Sequence, residues 1–225
     1  VFHLQPASAA IRDAFLSGFV AGASFTLDIA GSADSTTVTS LKDAMASVKM
    51  SSTITGITDK LIATGSAAEP DALTMLQPFN ERKTPVQVMI YNPFDAPLYI
   101  KHMTATTVWN GLTFGTVDQD VGLTVPAKGT VLSPTVTMVS PAGLGFALDT
   151  LAPFMAHYPL MLFGHAYDVP FNINSTISAV VGGADGYAGN VQYSQADTII
   201  KVQLNGEAPQ PMVAQVFSGS NSTTT

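Results

Sequence analysis

The sequence predicts an antiparallel all-β chain with two short helices, and three observations carry that expectation. Short apolar runs interleaved with Ser and Thr recur along most of the 225 residues, as half-buried strands require. Asn110-Gly111 joins two of these runs, and Asn-Gly suits a two-residue type I′ hairpin because both central residues need positive φ. Helical spacing of apolar residues is confined to residues 8–21 and 144–157.

The first helix places Ile11, Ala14, Phe15 and Phe19 on one face with Arg12 and Asp13 off it. Pro6 precedes it and Gly22 stops it. A strand is expected at 25–29 and another at 86–91. The corner Asn92-Pro93-Phe94-Asp95-Ala96-Pro97 then bends the chain: Pro cannot donate to a ladder, Phe94 turns inward, and the next strand starts at Leu98. Residues 98–103 and 104–109 run into the Asn110-Gly111 turn, and 112–117 returns from it. Leu123-Thr124-Val125 leads into a turn at 126–129. In 130–139, Val136 and Met138 alternate with Thr135 and Thr137, giving one apolar and one hydroxyl-bearing face. The second helix sets Leu148, Leu151, Ala152 and Met155 on its inner face and is closed by Pro159. Strands at 160–165, 177–181, 189–193 and 198–204 complete the set.

Twice a helix leads into a strand, at an offset of about 135 residues, which reads as a weak internal repeat. On that reading residues 1–79 are a partial β module with an N-terminal helix, 80–205 a complete module, and 206–225 an extended tail. A partial module exposes unpaired edges and half a core.

Charge is scarce. Asp, Glu, Lys and Arg make up 11% of the chain against 46% hydrophobic residues, where an ordinary domain carries about 25% charged residues. Such a surface is covered by Ser, Thr and Asn, by attached sugar, or by further copies of the protein. The net charge of −7 with scattered basic residues makes nucleic acid and anionic membranes poor partners. Without cysteine there are no disulfides, thiolate nucleophiles or Cys-ligated zinc. The most apolar stretch, 151–163, is broken by Pro153 and Pro159 and is shorter than the ~20 residues of a membrane span. The start at Val1, without an initiator Met, is consistent with a processed mature form or with a fragment whose signal peptide is gone. Asn174-Ser175-Thr176 and Asn221-Ser222-Thr223 are glycosylation sequons, so Asn174 and Asn221 are candidate modified residues on a secretory route.

Groups that could carry chemistry do not assemble into a reactive pattern. His157 and His165 flank a segment containing Pro159, with Asp168 nearby, which is too few convergent ligands for zinc or copper. There is no G-x-S-x-G elbow. The glycine-rich stretch 182–190 has no Lys and a single carboxylate, Asp185, so it reads as a hairpin loop, neither a phosphate nor a calcium loop. Asp118 and Asp120 read as a solvated pair in a turn. Tyr91, Phe94, Tyr99 and Trp109 are expected to pack in or across strands. No catalytic residue, metal site or cofactor is expected.

The strand ending in Asn92-Pro93-Phe94, the strand after it, the Asn110-Gly111 hairpin and GLTVPAKGTVLSPTVTM from Gly122 resemble the late-embryogenesis-abundant type-2 family and its secreted fungal relatives of unknown function. VQYSQADTIIKVQL, ending at Leu204, resembles the closing strand of the fungal branch. The resemblance covers residues 80–205. It implies fibronectin/immunoglobulin-like antiparallel β-sandwich modules, and no catalytic residues come with it. Together these features suggest a non-enzymatic extracellular or cell-surface structural protein that self-associates by strand addition into filaments. Met212, Val213, Val216 and Phe217 in the tail are the candidate intermolecular strand. A module that binds an apolar or carbohydrate ligand, with cell-wall or glycan components as partners, is the alternative.

Overall fold

The computed structural model describes residues 8–32, 34, 36–71, 81–182 and 187–204. It begins with helix α1 (Ala9–Val20), strand β1 (Ser24–Ala30), a 3-10 turn (Thr39–Leu41), helix α2 (Lys42–Ala46) and strand β2 (Lys49–Thr55). Strands β3 (Ser66–Ala68), β4 (Arg82–Gln87), β5 (Met89–Tyr91), β6 (Leu98–Trp109), β7 (Leu112–Val125), β8 (Thr130–Leu132) and β9 (Val136–Ser140) follow. A compound helix comes next, made of α3 (Leu144–Phe146), a π-helical turn (Ala147–Leu151) and α4 (Ala152–His157). A 3-10 turn (Pro159–Phe163) and the long strands β10 (Tyr167–Val181) and β11 (Tyr187–Val202) close the order.

The all-β expectation holds. In place of two separate facing sheets, seven strands close in the order β10-β11-β3-β4-β9-β7-β6. Every junction is antiparallel except β11 with β3. Closure is narrowest between β7 and β9, which share one residue pair, Thr116 with Val139, helped by a 3.0 Å hydrogen bond from the Thr137 N–H to Gln119 Oε1. Because β9 pairs with β4 on one side and meets β7 on the other, it joins what a sandwich keeps apart. Residues 61–68 belong to this barrel: Leu61 is buried, and β3 lies between β11 and β4.

The Asn110-Gly111 turn has φ of 48° and 81° and links β6 to β7, as Asn-Gly dictates. The run at 86–91 is two strands. At Val88 the chain leaves the barrel ladder, and there the Val88 N–H donates to Ser133 Oγ (2.9 Å) and the Ser133 N–H to the Val88 carbonyl (2.8 Å). The strand expected at 160–165 is absent. Pro159 starts a 3-10 turn there, Gly164 ends it at φ 81°, and Met161 points into the core.

Each helix turns only part of its expected face inward: Phe15 and Phe19 pack on Phe25 and Phe94, Leu151 is buried and Met155 packs on the core, but other expected residues do not. In α1, Leu16 and Val20, four apart, meet Leu61, Val191 and Tyr193, while Ile11 is 57% exposed. Arg12 and Asp13 also lie on the packed side, since a Cβ at Gly189 would come within 3.1 Å of Arg12 Nε and 2.8 Å of Asp13 Oδ1. In the compound helix, Phe146, Leu151, Phe154 and Tyr158 are buried and Leu148 is 64% exposed. The π turn inserts one extra residue, so Phe146 and Leu151, five apart, share the inner face and Leu148 rotates outward. This helix covers one end of the barrel through an aromatic cluster. Phe154 meets Trp109 edge-on at 5.2 Å and Phe114 at 4.6 Å, and Phe171 stands 5.2 Å from Phe114.

Candidate functional site

The corner after β5 is a structural joint. Asn92 is fully buried, and its Nδ2 donates to the carbonyls of Ala96 (2.8 Å), Val125 (3.1 Å) and Pro126 (3.0 Å). Its Oδ1 accepts from the Phe94 N–H at 3.0 Å, an Asx turn. Lys128 Nζ donates to the Pro93 carbonyl at 2.6 Å and lies 3.4 Å from Asp95. Phe94 is partly buried and stacks on Phe19 of α1 at 6.2 Å. One side chain thus ties the chain leaving β5, the start of β6 and the end of β7 together.

The outer edge of β11 is managed closely. It pairs with β3 only at residues 200–202, so the backbone groups upstream need other partners. The Gln192 N–H donates to Ser17 Oγ on α1 at 2.8 Å. The Gln195 side chain mimics a strand: Oε1 accepts from the Ile62 N–H (3.1 Å) and Nε2 donates to the Ile62 carbonyl (2.9 Å). Tyr193 Oη accepts from the Leu61 N–H (3.0 Å) and donates to Gln195 Oε1 (2.7 Å). Burial raises the Tyr193 pKa above the ordinary phenol value, partly offset by the Leu61 N–H, which keeps this hydroxyl a donor.

No such cover protects the N-terminal hairpin. Among the described residues β1 and β2 pair only with each other, Phe25 opposite Ile54, Leu27 opposite Ser52 and Ile29 opposite Met50. Period-two alternation puts these six on one face and Thr26, Asp28, Ser51 and Thr53 on the other. At the base Phe25 packs against Phe15, ring centres 4.8 Å apart. Toward the tip the apolar face is open: Ile29 is 47% and Met50 62% exposed, and Val38, Leu41 and Val48 in the connection between the two strands are exposed too. The order helix, then antiparallel hairpin, is that of the compound helix with β10 and β11. There, however, β10 is also paired along its other edge by β6. The N-terminal unit has the same parts without that neighbour among the described residues.

The outer face of β7, β6, β10 and β11 is a polar trough. Outward side chains from neighbouring strands line up in two rows, Thr116, Thr106, Asn174, Ser194 and Asp118, Thr104, Thr176, Gln192. Beside it, His102 sits between two carboxylates, Nδ1 at 2.8 Å from Asp120 and Nε2 at 2.8 Å from Asp118. These hydrogen bonds, Asp120 first, hold the His102 pKa above the usual imidazole value. The two aspartates are therefore a solvated pair, as expected, but they stand on strand β7 and clasp a histidine instead of lying in a turn. Their two-residue spacing was the available signal, since it places both on one side of a strand.

The remaining sequence candidates scatter. Trp109 is buried against Phe154 and belongs to the core. His157 leans on Trp109 (6.3 Å) and Tyr158 (4.7 Å), and among the described residues no group of three or more His, Cys, Asp or Glu side chains could hold a metal ion. Asn174 lies exposed on β10. Asn221, Met212, Val213, Val216 and Phe217 lie outside the described residues, as does Asp185 of the glycine-rich loop. No helix among the described residues is long and apolar enough to cross a membrane. Inside the barrel there is an apolar cavity of about 60 Å³ lined by residues such as Ile100, Val117, Val136, Phe171 and Ile200. It has room for no more than a couple of water-sized molecules, far below the ~300 Å³ or more of an organic-ligand site.

No family model matches the chain, and no curated protein does. Among solved structures it is similar to a crystal structure of a protein from Archaeoglobus fulgidus, at 11% identity and a TM-score of 0.29, covering 60% of this chain and 94% of that one. It is also similar to the solution structure of AT1g01470 from Arabidopsis thaliana, at 13% identity and a TM-score of 0.31, covering 64% of this chain and 89% of that one. Both likenesses are too weak to transfer either fold or activity.

Proposed function

We propose that this protein is a non-enzymatic structural module of an extracellular or cell-surface assembly, and that copies join by adding a strand to the open hairpin β1–β2. The observation that supports this reading is the uncovered apolar face of that hairpin at Ile29 and Met50, between two strand edges that lack neighbours among the described residues. An isolated two-stranded sheet is marginal in water, and a third strand supplies both ladder bonds and cover. The contrast with β11 is informative: where α1, Tyr193 and Gln195 close one edge of the barrel, nothing among the described residues closes these. The low charge of the chain points the same way, since a charge-poor surface suits cover by further copies.

The donor we assign is the tail segment carrying Met212, Val213, Val216 and Phe217, whose apolar residues suit the hairpin face. Addition of one copy's tail to the next copy's hairpin is head-to-tail and does not close on itself, so it builds filaments. The test is mass as a function of concentration by light scattering and negative-stain imaging. Full-length chain is expected to assemble, and both deletion of 206–225 and the pair Ile29→Lys, Met50→Lys are expected to stay monomeric. A full-length chain that is monomeric at high concentration refutes the proposal. Assembly that survives the deletion but not the lysine pair refutes the tail as donor and keeps the hairpin as acceptor.

A further inference from the structure

The polar trough on β7, β6, β10 and β11 is a different surface from the open hairpin, and any ligand it takes is independent of self-association. Its two rows each carry four side chains, one per strand. With strands about 4.8 Å apart, each row crosses roughly 14 Å. The concavity is shallow and open to solvent, with about 600 Å³ of space above its floor. Seven of the eight side chains are neutral hydroxyls or amides: Thr104, Thr106, Thr116, Asn174, Thr176, Gln192 and Ser194.

These groups are free to bind. Among the described residues, the side chains of Thr106, Asn174, Thr176, Gln192 and Ser194 make no hydrogen bond to protein. The Thr104 and Thr116 hydroxyls reach only backbone carbonyls, at the long distances of 3.4 and 3.5 Å. The one charge on the floor, Asp118, already faces His102 Nε2 at 2.8 Å.

That composition selects a ligand chemistry. No cation on the floor awaits a phosphate, sulfate or acidic sugar, and no aromatic or aliphatic floor awaits an apolar molecule. Hydroxyls that both donate and accept, beside two amides that do the same, match a ligand bearing many hydroxyls, and the threonine methyls offer small apolar contacts for its C–H faces. Asn174 stands in the middle of the trough, opposite Thr106 on one side and Ser194 on the other, and it is the acceptor of the Asn174-Ser175-Thr176 sequon. A glycan attached there starts on the trough floor.

We infer that the trough binds a neutral oligosaccharide chain, supplied either by a glycan linked to Asn174 or by free polysaccharide. Two arms separate the sources, both with the full-length chain. In the first, unglycosylated protein from a bacterial host is titrated with an N-acetylglucosamine tetramer and with a glucose hexamer while backbone amide shifts are followed. Saturable shifts at Thr106, Asn174, Thr176, Gln192 and Ser194, weakened about tenfold in Thr106→Val, Gln192→Leu with an unchanged melting curve, assign free polysaccharide. In the second, protein secreted from a yeast host is peptide-mapped, and amide exchange is compared with Asn174→Gln. Occupancy of Asn174 together with slower exchange at Thr106, Thr176, Gln192 and Ser194 assigns the tethered glycan. The inference is overturned if neither probe gives saturable shifts and Asn174 is either unoccupied or occupied without protection of the trough.

Discussion

Replacing Asn92 by Ala tests whether the corner after β5 is a joint or merely a bend. The wild-type side chain donates to three carbonyls and accepts from one N–H within 3.1 Å, in a site with no solvent exposure. Its two amide protons are shared among three carbonyls, so the loss is about three hydrogen bonds. At about 1 kcal/mol each, Asn92→Ala costs about 3 kcal/mol, with larger values if no water enters the vacated space. For a chain of this size, at about 2–4 °C per kcal/mol, melting falls by roughly 6–12 °C. Urea unfolding measures the free energy and a thermal scan the shift. Asn92→Asp adds an internal control. A carboxylate facing three carbonyl oxygens is disfavoured, so its folded pKa rises above the ordinary Asp value of about 3.9. The variant is therefore least stable relative to wild type at neutral pH and regains stability on acidification, as protonation restores one donor. A loss below about 0.5 kcal/mol for Asn92→Ala, the level of an ordinary surface change, refutes the joint.

Gly111→Val keeps open space at its Cβ but forces a β-branched residue to φ 81°, so it costs about 1–2 kcal/mol through the backbone alone; an unchanged melting temperature contradicts the turn assignment. Gly189→Leu pushes a side chain into Asp13, Arg12 and Leu16, so α1 is expected to gain exchange and protease sensitivity while the barrel still melts cooperatively, and continued protection of α1 defeats the docking described. The imidazole of His102, followed by NMR, is expected to titrate above 6.5, and Asp120→Asn is expected to lower that value more than Asp118→Asn. Because the folded pKa is the raised one, the clasp contributes fully below the unfolded pKa and is lost as pH rises through the folded value; titration at or below 6.5 rules the clasp out in solution.

The hairpin at Asn110-Gly111 was legible because its cause is local: two residues that tolerate positive φ between two strand-forming runs. The helices were legible as segments for the same reason, through spacing and Gly or Pro stops. Their inner faces were legible only in part: Phe15, Phe19, Leu151 and Met155 pack as the spacing expects, whereas Ile11 and Leu148 are exposed. In α1, apolar residues lie on both sides, and only the close approach allowed by Gly189 shows that Leu16 and Val20 face the barrel while Ile11 is left exposed. In the compound helix the π turn shifts the register by one residue, which no apolar pattern records. Residues 160–165 looked like a strand because Leu, Met, Leu and Phe are equally at home in a buried strand or a tight turn, and Pro159 with Gly164 decided for the turn.

The sites divide along the same line. Asn92 carried a partial signal, an Asn followed by Pro at the head of a turn, but its three carbonyl partners include two at the far end of β7. The clasp on His102 and the two rows of the trough exist only through cross-strand register, which pairs His102 with Asp120 and Asn174 with both Thr106 and Ser194. From residue order alone, this chain was determined to be β-rich, poor in charge and turned at particular corners, with two helical segments, because propensity, turn chemistry and composition act over a few neighbouring residues. The tertiary structure decided that the strands close into a ring, which helix face is buried, and that among the described residues the N-terminal hairpin keeps its edges bare. Those outcomes depend on pairings between segments distant in sequence, where register, not local preference, sets which side chains meet.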